Sequence, residues 1–445
     1  MYEDFRTFLK TCAHVTPTPR QLMWYDTGFY AFIHFSANTY TDREWGDGRE
    51  DPAIFNPYDL DCGEWARAVK ASGAQGIVLT AKHHCGFCLW PTATTEQSVK
   101  NCPVPRDIVR ETADACREYG LKFGFYLSPW DRNCPLYGSD AYNDFYKAQL
   151  TELLTGYGDI FMVWFDGACG EGPNGKKQVY DFPGYIDLVR RYQPDACIFY
   201  DRGPDVRWCG NESGSARHAE WAVVPQELVP LCENVTPLTP VLPGGLPDIY
   251  NTDAELGSLS NMIYSSGAAF CGAEIDMSIR PGWFYHANEQ PHSLERLFET
   301  YLRSVGGNAC FNLNVPPMPS GRLDPKDIAR LQELGDQLRA AFGDNLARDA
   351  AVSYDARGGR PTVDLTFPEA RRIRYVTLRE DLREGQRVES FRLWFENPDG
   401  VLSRLSQGTT IGNRRIVRVD CLTRRVRVEI TAARDVPVLL PVEVY

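Results

Sequence analysis

Five short apolar runs in this chain each lead into residues that can move protons or bind hydroxyl groups. Phe29-Tyr30-Ala31-Phe32-Ile33 stops at His34, and Gly76-Ile77-Val78-Leu79-Thr80-Ala81 leads to His83-His84. Lys122-Phe123-Gly124-Phe125-Tyr126-Leu127 carries Tyr126 near its end. Ile160-Phe161-Met162-Val163-Trp164-Phe165 stops at Asp166, and Ala196-Cys197-Ile198-Phe199 leads to Tyr200-Asp201-Arg202. Any one of these is commonplace, and Asp166-Gly167 alone reads as a turn. Five in succession form a pattern, because the carboxyl ends of parallel strands gather at one opening of an α/β fold.

Two chemistries fit these residue types. Three His and an Asp are metal-ligand types. Adjacent histidines at a strand end, however, are expected to point their rings apart, so His83 and His84 would not share one ion. Cys85-Gly86-Phe87-Cys88 has no second pair to complete a tetrahedral site and reads as two half-buried thiols. No metal and no cofactor are expected. The other chemistry uses two carboxylates, as in retaining glycosidases, whose nucleophile and acid/base stand roughly 5–5.5 Å apart. Asp166 would be the nucleophile. The acid needs a raised pKa, and Glu212, Glu220, Glu274 and Asp276 in the later loops are candidates that spacing alone does not separate. Glu212 lies between Gly210 and Gly214, in a loop expected to swing over a substrate.

The elements that position these residues follow from periodicity. Continuous apolar runs read as strands buried on both faces. Weaker runs at 220–224, 268–271 and 310–313 bring the number of strands to eight. Between them lie helix candidates at 62–70, 106–119, 142–154, 185–192 and 294–304, and a further helix is expected at 324–342. This predicts a (β/α)8 barrel over residues 1–345, irregular in its later half, where the Pro-rich stretch 225–247 weakens the sixth and seventh units. Residues 346–445 switch to period two and predict an antiparallel β-sandwich. Its strands are expected at 388–395, 416–419, 426–430 and 436–444, with Arg424, Arg425 and Arg427 on a solvated face.

Composition narrows the partners. The chain has 445 residues, a formal net charge of -12 and no dense basic run, which argues against nucleic acid. No stretch is apolar enough to span a membrane. The first residues show no leader, so a cytoplasmic location is expected unless a leader was removed. The 14 Cys are scattered, several of them inside apolar runs, and read as free buried thiols. Oligomeric state is left open.

The motifs together resemble the α-L-fucosidases of glycoside hydrolase family 29, over about residues 17 to 320. The markers are Phe29-Tyr30-Ala31-Phe32-Ile33-His34-Phe35, Glu44-Trp45-Gly46-Asp47-Gly48, Thr80-Ala81-Lys82-His83-His84, Phe125-Tyr126-Leu127-Ser128-Pro129-Trp130-Asp131 and Trp164-Phe165-Asp166-Gly167. Two further stretches, Arg207-Trp208-Cys209-Gly210-Asn211-Glu212 and the run from Glu274 to His286, resemble the branch that prefers α-1,3- and α-1,4-linked fucose on Lewis-type glycans. The resemblance implies a retaining, metal-independent exo-hydrolase of fucosylated oligosaccharides, with Asp166 as nucleophile and Glu212 as acid/base; Glu274 is the alternative acid/base. It implies a fucose pocket of His34, Glu44, Trp45, His83, His84, Tyr126 and Trp164, joined by Arg202, with Asp276 and Trp283 shaping the neighbouring galactose subsite. Cys85 departs from the pattern, standing where relatives often carry an acid. The competing readings are a broader fucosidase, a barrel glycosidase for another sugar such as a galactosidase, a metal-dependent hydrolase, and a catalytically dead glycan-binding protein.

Overall fold

The computed structural model describes residues 2–246, 248–254, 256–356 and 360–445. Met1, at the head of the stretch read for a leader, and Pro247, which closes the Pro-rich stretch, lie outside the described residues. The first barrel strands are β1 (Phe29–Ile33), β2 (Gly76–Lys82), β3 (Lys122–Leu127), β4 (Met162–Trp164), β5 (Cys197–Phe199) and β6 (Val206–Trp208). Next, β7 (Val223–Pro225), β8 (Val235–Pro237) and β9 (Gly267–Phe270) form a small antiparallel sheet outside the barrel. Finally, β10 (Gly272–Ser278) and β11 (Ala309–Asn314) close the barrel in the order β1-β11-β10-β6-β5-β4-β3-β2.

Every residue of β1 and β2 is buried, as strands covered on both faces require. Their inward side chains, among them Tyr30, Phe32 and Val78, meet Tyr126, Met162, Trp164 and Phe199 in the barrel interior. The outward set packs under amphipathic helices, including Cys62–Ala71, Ile108–Tyr119, Asp140–Gly156, Phe182–Tyr192 and Leu294–Ser304. Local signals set their ends. Asp61 caps the first of these helices by accepting from Glu64 N at 3.0 Å. Ile108–Tyr119 stops at Gly120, whose φ of 66° is the left-handed conformation glycine tolerates.

Two strands differ from the sequence expectation. The sixth barrel strand is β6 rather than 220–224, and the seventh is β10 rather than 268–271; those two runs contribute β7 and β9 to the small sheet. Both true strands carry buried charge, Arg207 in β6 and Glu274 and Asp276 in β10, so neither reads as an apolar run. The later half is irregular, as expected: β5 passes to β6 through a short turn with no helix.

Beyond helix Pro325–Phe342 the chain forms β12 (Ala351–Asp355), β13 (Thr362–Leu378), β14 (Val388–Glu396), β15 (Leu402–Gly408), β16 (Arg415–Ala433) and β17 (Glu443–Val444), antiparallel throughout around their own apolar core. The strand expected at 436–444 is reduced to β17. Pro437 and Pro441 interrupt it, since proline lacks the N–H that a ladder needs. Arg425 and Arg427 do not stand free; both bind the Asp364 carboxylate, at 3.0 and 2.9 Å.

Candidate active site

The five strand-end groups converge. Asp166 follows β4 by two residues, and its side chain is 25% exposed. Tyr126 Oη donates to Asp166 Oδ2 at 2.8 Å, and the Ala168 backbone N–H donates to Oδ1, also at 2.8 Å. The carboxylate is thereby held in one orientation, with its remaining lone pairs facing the pocket. Burial and the neighbouring Asp166 charge keep the Tyr126 phenol well above its ordinary pKa, so it remains a donor.

Three histidines line the same opening. Burial pushes all three down: His34 to about 4, His83 well below its ordinary value, and His84 less far because the Asp166 charge pulls it back up. All three are neutral near pH 7, and the hydrogen-bond network assigns their tautomers. Ser128 Oγ donates to the Trp130 carbonyl, so His84 Nδ1–H donates to Ser128 at 2.7 Å. That leaves His84 Nε2 an acceptor, 3.7 Å from Asp166 Oδ2. Asn314 Oδ1 takes His34 Nδ1–H at 2.8 Å, which makes His34 Nε2 a second acceptor. The Asn38 amide donates to His83 Nδ1 at 3.4 Å, so His83 keeps its proton on Nε2 and is a donor. Two acceptors and one donor on rigid rings suit a neutral ligand bearing several hydroxyl groups.

The rings of His83 and His84 lie with centroids 4.1 Å apart, contrary to the expectation that they diverge. The register of β2 against β3 slips between Thr80 and Lys82, and the strand ends at Lys82. Both histidines therefore lie beyond the pleat, where alternation no longer holds. Lys82 turns the other way and is buried against Asp131 at 3.1 Å and Gln149 at 2.9 Å, which fixes the end of the strand beneath the pair.

The floor is Trp164, stacked on Phe199 at 4.0 Å and tilted against Tyr126 at 5.3 Å. Its indole N–H donates to Glu274 at 2.8 Å. Glu274 also accepts from Asn312 at 3.1 Å and from the Tyr30 hydroxyl, and it has no exposed surface. Burial raises its pKa to about 7, but its oxygens are taken by donors within the barrel, not turned to the pocket. Asp276, two residues on, is buried and accepts from the Trp208 indole at 3.0 Å; burial, Glu274 and Glu212 push it well up.

Glu212 stands at the rim, exposed, in the loop after β6. Partial burial of its carboxyl raises its pKa; the Trp283 side chain opposes this, and the Asp166 and Glu44 charges add to it. The loop is closely packed at both of its glycines. Gly210 and Gly214 have φ of 92° and 84°. A Cβ on Gly210 would lie 1.9 Å from the Asn251 carbonyl, and one on Gly214 would lie 2.6 Å from Thr300. Glycine at these two positions permits the close packing.

Glu44 binds the loop after β10 and stays partly exposed at the mouth. Its carboxylate accepts from the backbone N–H groups of Trp283 at 2.8 Å and Phe284 at 3.2 Å, and pairs with His286 Nε2 at 2.6 Å. It clamps the loop that holds Trp283 5.2 Å from the His34 ring. Trp45 is exposed, edge-on to His84 at 6.0 Å and Trp130 at 5.6 Å. Arg202 is exposed and faces a neighbouring cavity, not the histidines. Asn314 and Ser128 are not among the expected site residues, and Asp201 is noted only at the end of the fifth apolar run. Asn312 and Asn314 alternate along β11, a period-two signal of two amides facing the barrel interior. Asp201 follows β5 much as Asp166 follows β4. Burial and the Asp166 charge raise Asp201 to about 6.

The alpha-L-fucosidase family model matches residues 20–215 and 263–341. The chain is 36% identical to Alpha-L-fucosidase 1 of Arabidopsis thaliana over 467 residues, covering 96% of this chain and 87% of the relative. A glycoside hydrolase 29 family member from an unknown rumen bacterium superposes with a TM-score of 0.85 at 38% identity, over 97% of this chain and 77% of that one. A Ruminococcus gnavus fucosidase of the same family, solved in complex with fucose, superposes at 0.82 with 27% identity, over 97% and 95%.

Proposed function

The chain belongs to the alpha-L-fucosidase family, glycoside hydrolase family 29, and on that premise we propose that it removes terminal α-1,3- and α-1,4-linked L-fucose from Lewis-type glycans by a retaining double displacement. The observation that carries this reading is the contrast between two carboxyls at one opening. Asp166 is held in place by hydrogen bonds from the Tyr126 hydroxyl and the Ala168 backbone N–H. Glu212, across the rim, is pushed toward the protonated form.

Asp166 attacks C1 as the glycosidic C1–O bond breaks, and Glu212 gives its proton to the departing oxygen. Water then attacks C1, loses a proton to Glu212 and displaces Asp166. His34 and His84 accept sugar hydroxyls through their free Nε2 atoms and His83 donates to one. Trp164 and Trp283 supply apolar surface for the C6 methyl and the ring face. The complex of the Ruminococcus gnavus relative with fucose supports the choice of sugar. The stretch from Glu274 to His286 supports the linkage preference, which remains the finer part of the proposal.

The test is fucose release from Lewis a and Lewis x trisaccharides, 2'-fucosyllactose and an aryl fucoside, with and without EDTA, with the first-formed anomer read by NMR. Release of α-fucose from the Lewis sugars alone, unaffected by EDTA, is the expected result. Cleavage of all four substrates removes the linkage preference. First formation of β-fucose removes the retaining mechanism, and loss of activity in EDTA removes metal independence.

A further inference from the structure

Charge divides this chain in two. Residues 346–445 hold 18 Arg, no Lys and 14 acidic residues, a formal net charge of +4, whereas residues 1–345 carry -16. An anion is therefore drawn to the C-terminal sheet and repelled by the barrel. The register of that sheet sorts its side chains onto two faces. Val363, Leu365, Leu393, Val426 and Val428 fill the apolar core on one face. Trp394 of β14 lies on the other, half-buried, and among the described residues it belongs to no apolar cluster.

Trp394 stands directly across from Arg427 of β16 on one side and from Arg404 of β15 on the other. Arg392, two residues earlier on the same face, stands across from Glu429 and Gln407. The indole is fixed: its N–H donates to Glu429 Oε2 at 2.9 Å, and Glu429 also pairs with Arg360 at 3.7 Å. Asp364 takes both Arg425 and Arg427, at 3.0 and 2.9 Å. The guanidinium groups of Arg392 and Arg404 have no hydrogen-bond or ion-pair partner among the described residues, and of the acids on this face only the Glu396 carboxylate is also left over. Two free cations thus face one free anion around a pinned aromatic ring. An indole offers a flat apolar surface to a pyranose ring, and a guanidinium forks a carboxylate. A carboxylate borne by the ring lies one bond from the atoms that stack. That puts it within reach of Arg404 across the strand, where opposed Cβ atoms are about 5 Å apart, and of Arg392 along it.

We propose that the outer face of the C-terminal sheet around Trp394 binds an acidic sugar, one whose pyranose ring carries a carboxylate. Trp394 stacks on the ring, and Arg404 and Arg392 take the carboxylate. The site lies outside the barrel mouth and takes no part in bond cleavage; it holds the protein on a glycan rich in acidic residues.

The test is calorimetric titration of the full chain with 3'-sialyllactose, trigalacturonic acid and lactose. None contains fucose, so binding does not depend on the reading of the catalytic pocket. At least one acidic sugar is expected to bind about 10-fold or more tighter than lactose, and which one does so separates a sialic acid from a uronic acid. Arg404→Gln and Arg392→Gln should each weaken that binding about fivefold or more, the scale of one lost guanidinium–carboxylate fork at an exposed site, with an unchanged thermal melt. Arg348→Gln is the control, because Arg348 is exposed beside Val352 and Val363 on the opposite side of the sheet; it should bind within about twofold of wild type. Acidic sugars that bind no tighter than lactose overturn the site. So does wild-type affinity in Arg404→Gln and Arg392→Gln, and so does an equal loss in Arg348→Gln, which would assign the binding to the charge of the whole domain.

Discussion

Glu212 and Glu220 lie eight residues apart, and in their environments they are opposites. Glu212 is exposed at the rim of the pocket, and its carboxyl is pushed up toward protonation. Glu220 is completely buried where the barrel meets the C-terminal domain. Burial alone would push Glu220 up as well, yet Arg207 at 2.5 Å and Arg217 at 3.1 Å outweigh it and hold it below the ordinary range. Its backbone carbonyl accepts from Asn308 of the barrel and from Gln386 of the C-terminal domain, at 2.9 and 3.2 Å. The junction pairs the Glu220 carboxylate with two guanidinium groups; the mouth leaves Asp166, Asp201, Glu212 and Arg202 with capacity to spare. Burial does not mark the functional carboxyl. What marks it is how much of its bonding capacity the protein has left unused.

The most severe way to break this contrast is at the nucleophile. Asp166→Asn keeps the acceptor for Tyr126 but removes the charge that attacks C1. Turnover is expected to fall by about 10⁴-fold or more while the thermal melt stays in place; a variant that retains full activity would falsify the assignment. Glu212→Gln comes next, with a loss of about 10²–10⁴-fold on oligosaccharides. The loss should be much smaller on an aryl fucoside whose leaving group departs without a proton. Equal losses on both substrates would show that Glu212 does not act as the acid. Glu220→Gln inverts the pattern. It leaves buried guanidinium groups uncompensated and should cost about 3–5 kcal/mol of stability, measured by denaturant unfolding, with kcat of the folded protein within about twofold. A large drop in kcat without a loss of stability would erase the distinction between the two regions.

The sequence carried the ends of the barrel strands well, because β1 to β5 are apolar runs that stop at polar residues. It hid β6 and β10 for the reason that makes them important: Arg207, Glu274 and Asp276 interrupt the apolar pattern, and their partners lie elsewhere in the chain. Arg207 needs Glu220, Glu274 needs Tyr30, Trp164 and Asn312, and Asp276 needs Trp208. For the same reason Glu212, Glu220, Glu274 and Asp276 were equivalent candidates until their partners were known. The shape of the Glu212 loop was also out of reach. Glycine allows both mobility and close contact, and the close contact of Gly210 with the Asn251 carbonyl joins residues far apart in the chain.

The mildest expected effect concerns the clamp on the Trp283 loop, where the mouth itself uses paired charge. His286 lies between Asp42 at 2.5 Å and Glu44 at 2.6 Å. Burial lowers its pKa, but the hydrogen bonds to Asp42 and Glu44 outweigh that and leave it raised. A raised histidine contributes its stabilisation fully below the unfolded value of about 6.5 and loses it as pH rises through the higher folded value. The loop is therefore held most firmly in mild acid and loosens toward alkaline pH. Because Asp42 is largely exposed, the change in fucose affinity across that window should be only about two- to five-fold. It is best measured as the Kd of fucose for Asp166→Asn, in which turnover does not interfere. His286→Gln in that background should flatten the dependence and hold the affinity near the weaker, alkaline value. An unchanged slope would assign the pH effect to another group, and a flat profile in the parent would show that the clamp does not govern the pocket.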